Sequence, residues 1–99
     1  MTRLQARFRT IVARYGEDVG DAPAVVASLT PSRARSYVSD GEIDAAGRPL
    51  WIAYAAYDHP AVEGGTVLWG ARSLKVKRAI DIRFAGATVS RLLVLFPTS

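Results

Sequence analysis

The chain has 99 residues, 49% of them hydrophobic and 22% charged, with thirteen Lys or Arg against nine Asp or Glu. That length and mixture describe one folded domain with a modest core and exclude a disordered chain. The absence of cysteine excludes disulfides, thiolate metal sites and a cysteine nucleophile, which fits a reducing compartment.

Leu4, Phe8, Ile11, Val12 and Tyr15 recur at helical spacing and Gly16 follows as a stop, so residues 2–15 predict one amphipathic helix with arginines on its other faces. The arginines near the start are not followed by an apolar block and a small-residue cleavage site, so no secretory signal is expected. Glu17 to Pro23 reads as a polar turn, and Ala24 to Leu29 as a short strand ended by Pro31. From 31 to 49 the chain is polar and glycine-marked, with Tyr37, Val38, Ile43 and Leu50 as its sizeable apolar residues. A long projecting loop is expected there, with one helical turn after the Ser39–Glu42 capping pair.

Leu50 to Tyr57 is apolar on both parities, as expected of a central strand or of one whose outer face meets another chain. Asp58, His59 and Pro60 then turn. Thr66 to Trp69, Ser73 to Phe84 and Thr88 to Phe96 read as three consecutive strands around glycine-marked turns. In the long middle strand Leu74, Val76, Ile80, Ile82 and Phe84 share one parity and are expected to be buried. Ser73, Lys75, Lys77, Asp81 and Arg83 share the other. Arg78 breaks the apolar row, either as a bulge residue reaching outward or as a paired arginine at a subunit boundary. The fold class that follows is mainly β: a small antiparallel β-barrel over 17–99 with an N-terminal α-helix over 1–16 and a long projecting loop at 31–49. No run approaches the roughly 20 apolar residues that a membrane-spanning helix needs.

Function classes narrow quickly. His59 is the one histidine, placed beside Asp58 and Pro60 in a turn, and sequence adjacency does not supply the buried orienting geometry of a catalytic triad. It is expected to be a solvated turn residue. No catalytic residue, no metal-ligand spacing and no cofactor fingerprint is present, and Gly64-Gly65 reads as a turn rather than a phosphate loop. Lys75, Lys77 and Arg83 form a basic stripe that could follow a phosphate backbone, but no aromatic on that parity offers a stacking platform. Charges also alternate in blocks along the chain: Arg3 to Arg14, then Glu17 to Asp21, Arg33 and Arg35, then Asp40 to Asp44, and the Arg72 to Arg83 cluster. Such blocks suit head-to-tail contact between copies, and also arise on solvated surfaces. Eleven of the thirteen bases are arginine, whose planar fork favours paired interface contacts.

The run Arg7-Phe8, Tyr15-Gly16-Glu17-Asp18-Val19, Leu29-Thr30-Pro31, the arm from Tyr37 to Pro49, Gly65-Thr66-Val67-Leu68-Trp69-Gly70 and Leu74-Lys75-Val76-Lys77-Arg78 resembles the small head-to-tail joining, or stopper, proteins of long-tailed bacteriophages. The likeness spans most of the chain in order and rests on diffuse patterns rather than an invariant motif. It implies a structural virion-neck protein, made in the host cytoplasm. Copies of it would form a ring between the portal-adaptor complex and the tail and help retain packaged DNA. It further implies subunit or partner contacts through Arg33, Arg35, Tyr37, Lys75, Lys77 and Arg78, and DNA-channel contact through Arg33, Arg35 and Arg48, with no enzyme activity, cofactor or membrane. The readings left beside it are an SH3-like or OB-like nucleic-acid-binding module and a tail-terminator-type ring protein.

Overall fold

Thr2 and Gln5 start the first helix reciprocally. The Gln5 amide donates to Thr2 Oγ1 at 3.1 Å and the Thr2 amide donates to Gln5 Oε1 at 2.8 Å, which satisfies two of the donors a helix start leaves open. In the computed structural model, which describes residues 2–46 and 49–98, this helix α1 runs Arg3–Tyr15. It lies across the end of the sheet where the sixth strand begins, the third ends and the second begins. Gln5 Nε2 donates to Thr88 O, Arg9 pairs with Asp58, and the Gly16 turn touches Ala24. A Cβ at Gly16 would stand 2.4 Å from Val12 O and 2.9 Å from Ala24 O, so only glycine lets the chain leave the helix so close to the sheet.

The strands are β1 (Glu17–Val19), β2 (Ala22–Ser28), β3 (Trp51–Ala56), β4 (Thr66–Trp69), β5 (Arg72–Phe84) and β6 (Ala87–Pro97). Every pairing is antiparallel, in the order β1-β2-β3-β6-β5-β4. The sheet curls until its two edges nearly meet, where the Gly20 amide of the β1–β2 turn donates to Leu68 O of β4 at 2.7 Å. The result is a mainly β, nearly closed, six-stranded antiparallel barrel behind an N-terminal helix. Two-residue turns make this possible: Gly20 and Gly70 take positive φ at their first position, and Ala85 and Gly86 take it at both positions of the β5–β6 turn. The region 17–23, expected as a turn, therefore holds the β1–β2 hairpin. Inside, Ala24, Ala53, Ala55 and Ala61 sit among Leu74, Val76, Leu93 and Leu95, small residues leaving the narrow interior of a six-stranded barrel room for larger ones.

Two expectations need correction. Over its described residues the segment 31–49 is not a projecting loop. It forms helices α2 (Pro31–Ala34) and α3 (Asp40–Ala46), which fold onto the outer surface of β3 and β6. Thr30 caps α2 through the Arg33 amide, and Ser39 and Glu42 cap α3, so the local signals are met by helix ends. Ala34, Val38 and Ile43 then pack with Ile52, Leu92, Val94 and Phe96 in a second apolar cluster. That cluster explains why β3 and β6 are apolar on both parities: one face lines the barrel and the other lies under the arm. Gly47 and Arg48, at the arm's end, lie outside the described residues.

The second correction concerns β5. Val76 pairs with Leu95 and Arg78 with Val94, so Lys77 is an extra residue in a β-bulge, and the parity of the strand inverts there. Leu74 and Val76 are buried in the barrel as expected, and Ala79 takes over that role beyond the bulge. Ile80, Ile82 and Phe84 face outward instead, 37%, 39% and 64% exposed.

Candidate interaction surface

Arg78 Nη2 donates to Glu42 Oε1 at 3.0 Å, and Lys77 Nζ lies 3.6 Å from Glu42 Oε2. The bulge explains the meeting, since it sets two consecutive cations at the edge of the arm. Glu42 is bonded to the Ser39 amide and hydroxyl as well. The hydrogen bond from the Ser39 amide holds its carboxyl below the usual 4.5; the Ser39 hydroxyl and the charges of Arg78 and Lys77 act the same way, against partial desolvation. Lys77 also lies over the Phe96 ring, its Nζ 5.6 Å from the centroid. Thus Lys77 and Arg78 hold this chain's own arm. A bulge does lie here, but its extra residue is Lys77, while Arg78 stands opposite Val94 and pairs with the chain's own Glu42.

The other singled-out residues separate. Tyr37 is half-buried against the cluster under the arm and anchors it. Arg35 Nε donates to Asp40 Oδ1 at 2.9 Å in an exposed pair across the α2–α3 joint. Arg33 and Lys75 are exposed, and neither forms an ion pair among the described residues. Arg48 lies outside the described residues.

His59 departs from expectation. It is buried, 4% exposed, with Nε2 at 3.0 Å from Val19 O and 3.2 Å from Ala22 O, while the Ala61 amide donates to Nδ1 at 3.1 Å. Two carbonyls at Nε2 and a donor at Nδ1 select the neutral Nε2–H tautomer. Arg91 Nη1 donates to the carbonyls of His59 and Ala61 and so fixes the same turn. Burial pushes the imidazole below its ordinary 6.5; the Ala22 and Val19 carbonyls resist, the Arg91 charge adds to the lowering, and Asp58 opposes it. The ring stitches the β1–β2 hairpin to the β3–β4 connection where the barrel closes. No pattern in the sequence marks it, because burial of a turn depends on strands far away in the chain.

At the opposite end, Trp51 and Trp69 meet edge to face with centroids 4.8 Å apart, and the Arg72 guanidinium lies 5.4 and 5.6 Å from their ring centres. The cation therefore already occupies faces that could stack a base. Trp51 Nε1 is buried with no hydrogen-bond partner among the described residues.

One opening in this pattern of intramolecular satisfaction is the outer surface of the β5–β6 hairpin. Ile80, Ile82 and Phe84 lie there beyond the reach of the arm, with Tyr54 39% exposed on the same face of β3. Among the described residues no three His, Asp or Glu side chains gather as metal ligands, and no helix is long and apolar enough to cross a membrane. Comparison with family models, curated proteins and solved structures finds no match.

Proposed function

We propose that the chain is a structural assembly protein of the head-to-tail joining, or stopper, kind. It forms a ring between a portal-adaptor complex and a tail and helps retain packaged DNA. The observation that carries this reading is the uncovered apolar row of Ile80, Ile82 and Phe84 on a long hairpin, beyond the arm that covers Ile52, Leu92, Val94 and Phe96 on the same side of the sheet. The order of helix and barrel supports it, since a short helix precedes a small antiparallel barrel; the arm, expected to project, is instead folded against β3 and β6. Contact with neighbours then runs through the hairpin surface and the exposed Arg33 and Lys75, while Tyr37, Lys77 and Arg78 act indirectly by setting the arm's position.

The nucleic-acid module is the weaker reading, because Glu42 partly neutralises Lys77 and Arg78 and Arg72 already covers the tryptophan pair. Electron microscopy of the purified chain mixed with portal-adaptor rings tests the proposal. A ring-shaped layer added at the adaptor face is the expected result. Unchanged portal-adaptor particles at saturating protein would overturn it.

A further inference from the structure

The edge of β5 facing away from β6 is open along its second half. β4 pairs only with Arg72 to Lys75, the Gly64–Gly65 turn bonds Val76 on that side, and Glu63 Oε1 accepts from the Ala79 amide at 3.0 Å. Beyond Ala79 no described strand lies against it. Because the Ala79 amide points away from β6, backbone alternation turns the N–H and C=O of Asp81 and Arg83 the same way. An unpaired edge beside exposed apolar side chains is a template for another strand.

We propose that a second copy of this chain fills the edge, the two β5 strands pairing antiparallel about a two-fold axis at Ile82. Charge selects the register. An axis at Asp81 would set Asp81 against itself, and an axis at Arg83 would set Arg83 against itself. With the axis at Ile82, each Asp81 stands opposite the second copy's Arg83 and the two exchange backbone hydrogen bonds, while Ile82 meets Ile82 and Ile80 meets Phe84 on the outer surface. Both charges have capacity to spare. Asp81 accepts from Arg91 through Oδ1 alone, and Arg83 donates one nitrogen to Gly86 O. This contact does not rest on the neck reading, since a ring needs a head-to-tail interface and a two-fold pairing is isologous. A strand contact this short falls at the low end of interface sizes, so the dimer forms and dissociates with concentration.

Sedimentation velocity on the full chain over a wide concentration range should show a monomer–dimer equilibrium. Arg83→Asp, which leaves the Asp81–Arg91 pair intact, should weaken the dimer more than tenfold with unchanged circular dichroism, as should Asp81→Arg. Mixing the two variants should restore a heterodimer, because each then faces the opposite charge. The chain has no cysteine of its own. Ile82→Cys should therefore cross-link to itself under mild oxidation, its opposed Cα atoms lying about 4.5 Å apart, while Arg83→Cys, about 7–8 Å from its copy, should not. A wild-type chain that stays monomeric throughout, a mixture no more dimeric than its components, or equal cross-linking at 82 and 83 would each overturn the proposal.

Discussion

His59 binds the Val19 and Ala22 carbonyls through Nε2 and the Ala61 amide through Nδ1, and only its neutral form fits all three. Losing buried hydrogen bonds of this kind costs roughly 1–3 kcal/mol, so His59→Phe should be destabilising by urea denaturation. The pH dependence has a definite sign. In the unfolded chain the imidazole titrates near 6.5, and in the fold it is pushed lower, chiefly by burial. Between those values the unfolded chain binds more protons, so the histidine's contribution is complete above 6.5 and is lost as pH falls toward the lowered value. The urea midpoint should decline from pH 7.5 to 5.5 in the wild type and change less in His59→Phe. A midpoint that rises on acidification would contradict the geometry.

The long hairpin and the arm show how local pattern and tertiary register divide the information. The positions of β3 to β6, most of β2, the alternation of β5 up to Val76 and the Ser39–Glu42 cap are legible because each is set by neighbouring residues, whereas the short β1 is hidden in a polar stretch that reads as a turn. The exposure of Ile80 and Ile82 is not legible because one extra residue, Lys77, inverts the face of everything after it, and a bulge leaves no mark in periodicity beyond the misplaced Arg78. The arm reads as projecting because its few apolar residues are spread over two short helices, and their partners on β3 and β6 are distant in sequence. Leu74→Ala should therefore cost about 2–5 kcal/mol, while Ile82→Ala at a partly exposed site should cost well under half of that. Denaturation midpoints of the two variants check it, and equal losses would restore the uniform parity.

The arm itself hangs on Glu42. Its carboxyl is held below 4.5, first by the Ser39 amide, so its contribution is present above 4.5 and is lost as pH falls through the lowered folded value. Glu42→Gln keeps the shape and removes the charge that meets Lys77 and Arg78. Amide exchange at Tyr37 and Val38, which both donate to Ala34 O, should quicken in that variant while the β3–β6 amides stay protected. Unchanged exchange in the arm would mean that Val38 and Ile43 alone hold it.

At the scale of the whole molecule, a net charge of +4 allows a polyanionic partner, and the distribution of that charge decides how strongly. Cations are scattered over α1, the arm and β5, and several are engaged internally: Arg9 with Asp58, Arg35 with Asp40, Lys77 and Arg78 with Glu42, Arg91 with Asp81. Duplex DNA should consequently bind the isolated chain weakly and without sequence preference. A footprint of about three phosphate contacts, with a slope near −0.9 each, loses roughly 40-fold in affinity between 50 and 200 mM salt. Association through Ile80, Ile82 and Phe84 should largely survive the same change, losing only what the Asp81 and Arg83 charges add, because salt screens charges and not buried hydrocarbon. Titrating labelled duplex and following assembly in parallel across that salt range separates the two modes. Tight, sequence-selective DNA binding at physiological salt would favour the nucleic-acid module, since it would require a convergent cationic and aromatic face that these ion pairs and the Arg72-covered tryptophans leave unbuilt.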